Sequence, residues 1–117
     1  MQYDFDKELS KWTSLRWDLA EEYQSAREAY ETLNGLFRVM LSERIKDYQE
    51  NKKNIGFEMA MLNLLEEKGT GTKDDYKDML RALAKYKSLR YKIEAVESKI
   101  MSIQSLMKHY RTQDGGN

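Results

Sequence analysis

Apolar side chains in this chain recur in alternating steps of four and three residues. Phe5, Leu9 and Trp12 open the pattern, and after Arg16 it runs on through Leu19, Tyr23, Ala26, Tyr30, Leu33, Phe37 and Met40. An α-helix presents such a heptad seam along one side, and that side has to be buried against another helix. Arg16 is the one strong polar interruption. Its guanidinium must either reach solvent along the alkyl stem or meet a carboxylate.

Beyond Phe37 the phase drifts to Leu41, Ile45 and Tyr48, and the polar stretch Asn51-Lys52-Lys53-Asn54-Ile55-Gly56 predicts a break or kink. Asn34-Gly35 is a second place for a break, since Gly favours the position just past a helix end. The seam continues through it, however, and one interior Gly costs only about 1 kcal/mol, so a continuous helix is expected there. Phe57 to Lys68 reads as a shorter amphipathic helix carrying Met59, Met61, Leu62 and Leu65, and it ends at Gly69-Thr70-Gly71. Thr72 followed by Asp75 resembles a capping box with Asp in place of Glu, and Asp74 and Asp75 suit the positive end of the helix dipole.

The last helix has the most regular pattern: Ala82, Tyr86, Leu89, Ile93, Val96, Ile100, Ile103, Met107 and Tyr110, with no polar interruption. From Lys73 to Arg111 it would span about 58 Å, and only a helix of similar length can cover such a seam. The expected fold is all-α: one helical domain over residues 1–111, with helices near 4–50, 55–68 and 73–111, and a frayed tail over 112–117. The favoured architecture is a long antiparallel helical hairpin or coiled coil with a kinked first arm. If the chain turns only at 69–72, that arm overhangs the hairpin and calls for a second copy, giving a homodimer. If the chain also turns near 34 or 52, a three-helix bundle results.

Composition agrees with this class. Pro is absent, Gly is scarce and charged residues make up 34% of the chain, so helix formers dominate. Cys is absent, which excludes disulfides and thiolate metal sites. The N-terminus lacks the basic start and apolar run of a signal peptide, and the most apolar window, Phe57 to Leu65, is too short to span a bilayer. No membrane association and a cytoplasmic location are therefore expected. Net charge is zero but polarised: residues 1–34 hold eight acids against four bases (−4), and residues 76–117 hold nine bases against four acids (+5). Such polarity favours the first helix lying beside the last, in the same chain or a second one.

Chemistry is sparse. The single His, His109, sits beside Lys108 and Arg111 near a helix end, where a cation suits the dipole. Glu21-Glu22 and Glu66-Glu67 are adjacent pairs whose side chains diverge by about 100 degrees on a helix. No Glu-x-x-His motif of a bundle metal site occurs. Gly69-Thr70-Gly71-Thr72-Lys73 lacks the spacing of a phosphate-binding loop and follows a helix instead of a strand. No enzyme, cofactor or metal is predicted.

Two features suit binding. Trp17 lies five residues beyond Trp12, about 140 degrees around the helix and off the seam, where a large aromatic is exposed unless another surface covers it. Trp12 and Trp17, with Asp18, Glu21 and Glu22 around them, are the candidate anchor for a protein partner. On the last helix Lys77, Arg81, Lys85 and Lys92, followed by Lys99, recur at steps of four and seven with Tyr86 and Tyr91 between them. That stripe could neutralise phosphates while the Tyr rings stack on bases, although a pI near 6.6 is low for a nucleic-acid binder.

The last helix, Tyr86-Lys87-Ser88-Leu89-Arg90-Tyr91-Lys92-Ile93-Glu94-Ala95 through Ser102-Ile103-Gln104-Ser105-Leu106-Met107-Lys108, resembles the small helical proteins encoded in the early regions of bacteriophages and prophages. The likeness covers about a third of the chain. That group includes accessory factors of replication and recombination and small inhibitors of host enzymes or defence systems. The resemblance implies a small adaptor or inhibitor in the host cytoplasm, acting on a host or replication protein, and it carries over no functional residue. The leading reading is thus a non-enzymatic protein-protein interaction module. The alternatives are a nucleic-acid-binding accessory factor of replication or recombination, and a structural coiled-coil subunit.

Overall fold

The computed structural model describes residues 4–51, 55–67 and 69–115, and among them there are three helices and no strand: α1 (Phe5–Asn51), α2 (Phe57–Glu66) and α3 (Thr72–Gly115). Helix α1 is capped by Asp4, whose Oδ1 accepts from the Lys7 amide at 3.0 Å and whose carbonyl accepts from the Glu8 amide at 3.1 Å. It passes through Asn34 and Gly35 without a break and ends at Asn51. Lys52, Lys53 and Asn54, in the stretch expected to break, lie outside the described residues, as do Lys68, Gly116 and Asn117.

The chain then reverses. The Gln49 side-chain amide donates to the Ile55 carbonyl at 3.1 Å, and extended Gly56 opens α2 by accepting from the Ala60 amide at 3.0 Å. After α2 the Thr70 hydroxyl donates to the Leu64 carbonyl at 3.1 Å, which gives one of the orphan C-terminal carbonyls a partner. Gly69 and Gly71 take φ of +92° and +77°, a region where a Cβ is strained, and so make the turn into α3. The capping-box expectation is corrected here. The Asp75 amide donates to the Gly71 carbonyl at 3.0 Å, and Thr72 is already inside the helix. Helix α3 also runs past Arg111, through Gly115, where fraying was expected. No Pro stops it, each further residue adds a hydrogen bond, and the Thr112 hydroxyl donates to the Lys108 carbonyl at 2.8 Å.

Contacts group the described residues into two compact units. The first joins the chain up to Ser25 with the chain from Lys87 onward. In it the start of α1 pairs with the end of α3: the Phe5 ring meets Tyr110 at 5.5 Å, Lys99 stands over the Trp12 ring, and Arg16 bonds Glu97. As one number rises the other falls, so the helices are antiparallel. Leu19, Leu89, Val96 and Ile103 are buried between them. Phe5 is thus paired, where an overhanging arm had been expected. The polar seam residue Arg16 takes the carboxylate alternative, with its Nη2 2.8 Å from Glu97 Oε1.

The second unit spans Ala26–Tyr86 and contains α2. Tyr30 stacks on Tyr86 at 5.7 Å, Phe37 meets Tyr76 at 5.7 Å, and Ile45, Ala60 and Leu64 form a core packed by Leu41, Tyr48, Ile55 and Met61. The phase drift in α1 has its cause in this core, since Leu41, Ile45 and Tyr48 form a stripe covered by α2. At the turn, Arg44 Nη1 donates to Thr72 Oγ1 and Asp75 Oδ2, each at 3.0 Å, and Thr72 is 0% exposed.

Candidate protein-interaction surface

The five residues predicted to hold a protein partner all lie on α1 in the first unit, but their surroundings differ. Trp12 is half-buried: its indole N–H donates to Glu8 Oε2 at 3.2 Å, and the Lys11 and Lys99 ammonium groups lie 5.5 and 5.8 Å from its ring centroid. Its own chain already uses most of its chemistry. Trp17 is 66% exposed. Asp18, Glu21 and Glu22 are exposed as well, and none of them forms a hydrogen bond or ion pair with a described residue. Glu21 stands about one turn along the same side of α1 as Trp17, Asp18 lies about 100 degrees around, and Glu22 about 140 degrees around.

The basic residues are divided. Lys77, Arg81 and Lys85 stand exposed at one-turn intervals on α3 in the second unit, and Arg81 is held 3.7 Å from Asp78. Lys92 is exposed on α3 in the first unit. His109 is exposed and packs its ring edge against Tyr110 at 6.0 Å. The glycine loop borders an open hollow of about 290 Å³ lined by Glu66, Glu67, Gly69, Gly71, Lys73 and Asp74. Three carboxylates to one ammonium is the wrong charge balance for a phosphate. Among the described residues no group of three or more His, Cys, Asp or Glu is arranged to hold a metal ion, and no helix is long and apolar enough to cross a membrane.

Other exposed apolar side chains escaped the sequence reading. In the second unit these include Leu36 and Val39 on α1, Phe57, Met59 and Leu62 on α2 and Leu80 on α3; in the first they include Met101 on α3. The signal for Met101 was the same as for Trp17. Each follows a seam position by one residue, Ile100 and Arg16 respectively, and therefore points about 100 degrees away from the seam.

No protein-family model, no curated protein and no solved structure matches this chain.

Proposed function

We propose that this chain is a non-enzymatic protein-interaction module, an adaptor or inhibitor that works by occupying a protein partner. The observation that carries the reading is Trp17. Trp is enriched in binding hot spots, and a monomer gains nothing by holding one two-thirds in water with Glu21 one turn along. Coiled-coil-like pairing of long helices and association into a homodimer belong to the same proposal. So do a cytoplasmic location and the phage or prophage origin, with a host or replication protein as target, that the resemblance of α3 implies.

The test is a photoreactive amino acid at position 17, with position 32 on the same helix as control. Irradiation in the native cell should give a discrete protein adduct from position 17. An adduct yield no higher than at position 32 would sink the proposal. A second reading, nucleic-acid binding through Lys77, Arg81, Lys85 and Lys92, draws support from the exposure of all four. It requires oligonucleotide affinity that falls steeply with salt and disappears when the four become Glu.

A further inference from the structure

We infer that the outward face of α2 is a second docking surface, independent of Trp17, and that it takes a basic amphipathic helix from another protein. The whole of this face lies within the second unit.

Helix α2 is apolar on two opposite sides. Ala60 and Leu64 are buried in the core that they share with Ile45, and they fix the side that faces α1. Leu62 stands two residues after the one and two before the other, so it points about 160 degrees away from both, straight outward. It is 49% exposed. Met59, 54% exposed, and the half-buried Leu65 flank it at about 60 degrees on either side. An ordinary surface helix turns its polar residues outward and keeps its apolar ones for the core, whereas a helix apolar all round is a buried one. With α1 covering only the Ala60–Leu64 side, α2 is half of a buried helix.

The charges on this face specify what covers it. They are acids alone: Glu58 precedes Leu62 by one turn, Glu66 follows it by one turn, both are exposed, and neither forms a hydrogen bond or ion pair with a described residue. Helix α2 carries no base, and residues 57–75 hold five acids against two bases. The row Met59, Leu62, Glu66, in steps of three and four, runs down to the hollow at the turn, where Glu67 and Asp74 join Glu66 against Lys73. A surface that matches this row offers apolar side chains at helical spacing, a cation about one turn beyond them and further cations at its rim. An uncharged or acidic partner would bury Glu58 and Glu66 without counter-charge, and an anionic bilayer would repel them.

An amphipathic helix meets the specification, since it presents its anchors at i, i+3, i+4 and i+7. The flexible thioether of Met59 adapts to whichever apolar side chain it receives. Ten residues make α2 about 15 Å long, so the partner segment spans two to three turns. A contact of that size belongs with the small, transient interfaces, and its dissociation constant is of roughly micromolar order or weaker.

The probe is a fluorescent helical peptide of about 14 residues, built of Leu at i, i+3, i+4 and i+7 with Lys elsewhere, titrated with the full chain in fluorescence anisotropy at low and high salt. It should bind, more weakly as salt rises, and a peptide with Glu in place of each Lys should not. Met59→Gln, Leu62→Gln and Glu66→Lys replace exposed residues with good helix formers; each should keep the thermal melt of wild type and weaken binding about tenfold or more. Trp17→Ala should leave the affinity unchanged. In methyl NMR the Met59 signal should move with peptide while that of Met101, exposed in the first unit, stays in place. Absence of binding, equal affinity for the Glu peptide, or binding indifferent to Met59→Gln and Leu62→Gln would overturn the proposal. So would a doubling of the 13.9 kDa mass that Leu62→Gln abolishes, which would put a second copy on this face, or vesicle binding that Leu62→Gln abolishes, which would put a bilayer there. Each of these failures leaves the Trp17 reading standing, because the photoadduct at position 17 reports on the other unit.

Discussion

Removing the hydroxyl of Thr72 should loosen the turn between α2 and α3 by a measurable amount. Thr72→Val keeps the side-chain shape but deletes the acceptor that Arg44 Nη1 reaches at 3.0 Å, at a residue 0% exposed. A hydrogen bond from a charged donor contributes about 1.5–3 kcal/mol net. Arg44 is 29% exposed and keeps its 3.0 Å bond to Asp75, so the low end applies, about 1–2 kcal/mol. Unfolding entropy of about 2.1 cal/mol/K per residue over 117 residues comes to roughly 0.25 kcal/mol/K, so Tm should fall by about 4–8 °C in a thermal melt followed by circular dichroism. The sharper assay is a double-mutant cycle. Arg44→Met removes both bonds at once, and in that background Thr72→Val should cost almost nothing, giving a coupling energy of about 1–2 kcal/mol. Strict additivity, or a Thr72→Val melt within about 1 °C of wild type, would refute the assignment of the turn's stability to this contact.

Glycine substitutions should split by position. Gly35 sits inside α1 with open space where a Cβ would go, so Gly35→Ala should raise Tm by about 4 °C, from about 1 kcal/mol of helix propensity. Gly71 holds φ +77°, so Gly71→Ala should lower stability by about 1–2 kcal/mol in the same melt. Leu64→Ala empties a core site that is only 5% exposed; it should cost about 2–5 kcal/mol and strip hydrogen-exchange protection from the α2 amides first. Arg16→Met, by contrast, should cost less than about 1 kcal/mol, since the Arg16 and Glu97 side chains are 44% and 42% exposed; a larger loss by chemical denaturation would mean the pair does more than bridge the seam.

The helices were legible because their signal is local. A four-three spacing from Phe5 to Met40 and from Ala82 to Tyr110, with no Pro between, allows only amphipathic helices that each require a helical partner. The off-seam position of Trp17 was legible for the same reason, as pure angle around the helix. The drift at Leu41, Ile45 and Tyr48 was visible too, but its meaning was not: it marks a face that packs on Ala60 and Leu64. Which carboxylate Arg16 meets lies 81 residues away, and the partners that make Thr72 a buried acceptor instead of a cap lie 28 residues back at Arg44. The spacing separates on-seam Trp12 from off-seam Trp17, but the groups that engage Trp12, the Glu8 carboxylate and the Lys99 ammonium, show only in the structure.

By itself, then, the sequence determined the helical class and the two long seams, because helical periodicity follows from the fixed 3.6-residue turn acting on each stretch independently. Only the tertiary structure decided which stripe meets which helix, which charges are paired and which aromatic is left in water. Those depend on distances through space between residues far apart in the chain, and no local spacing encodes them.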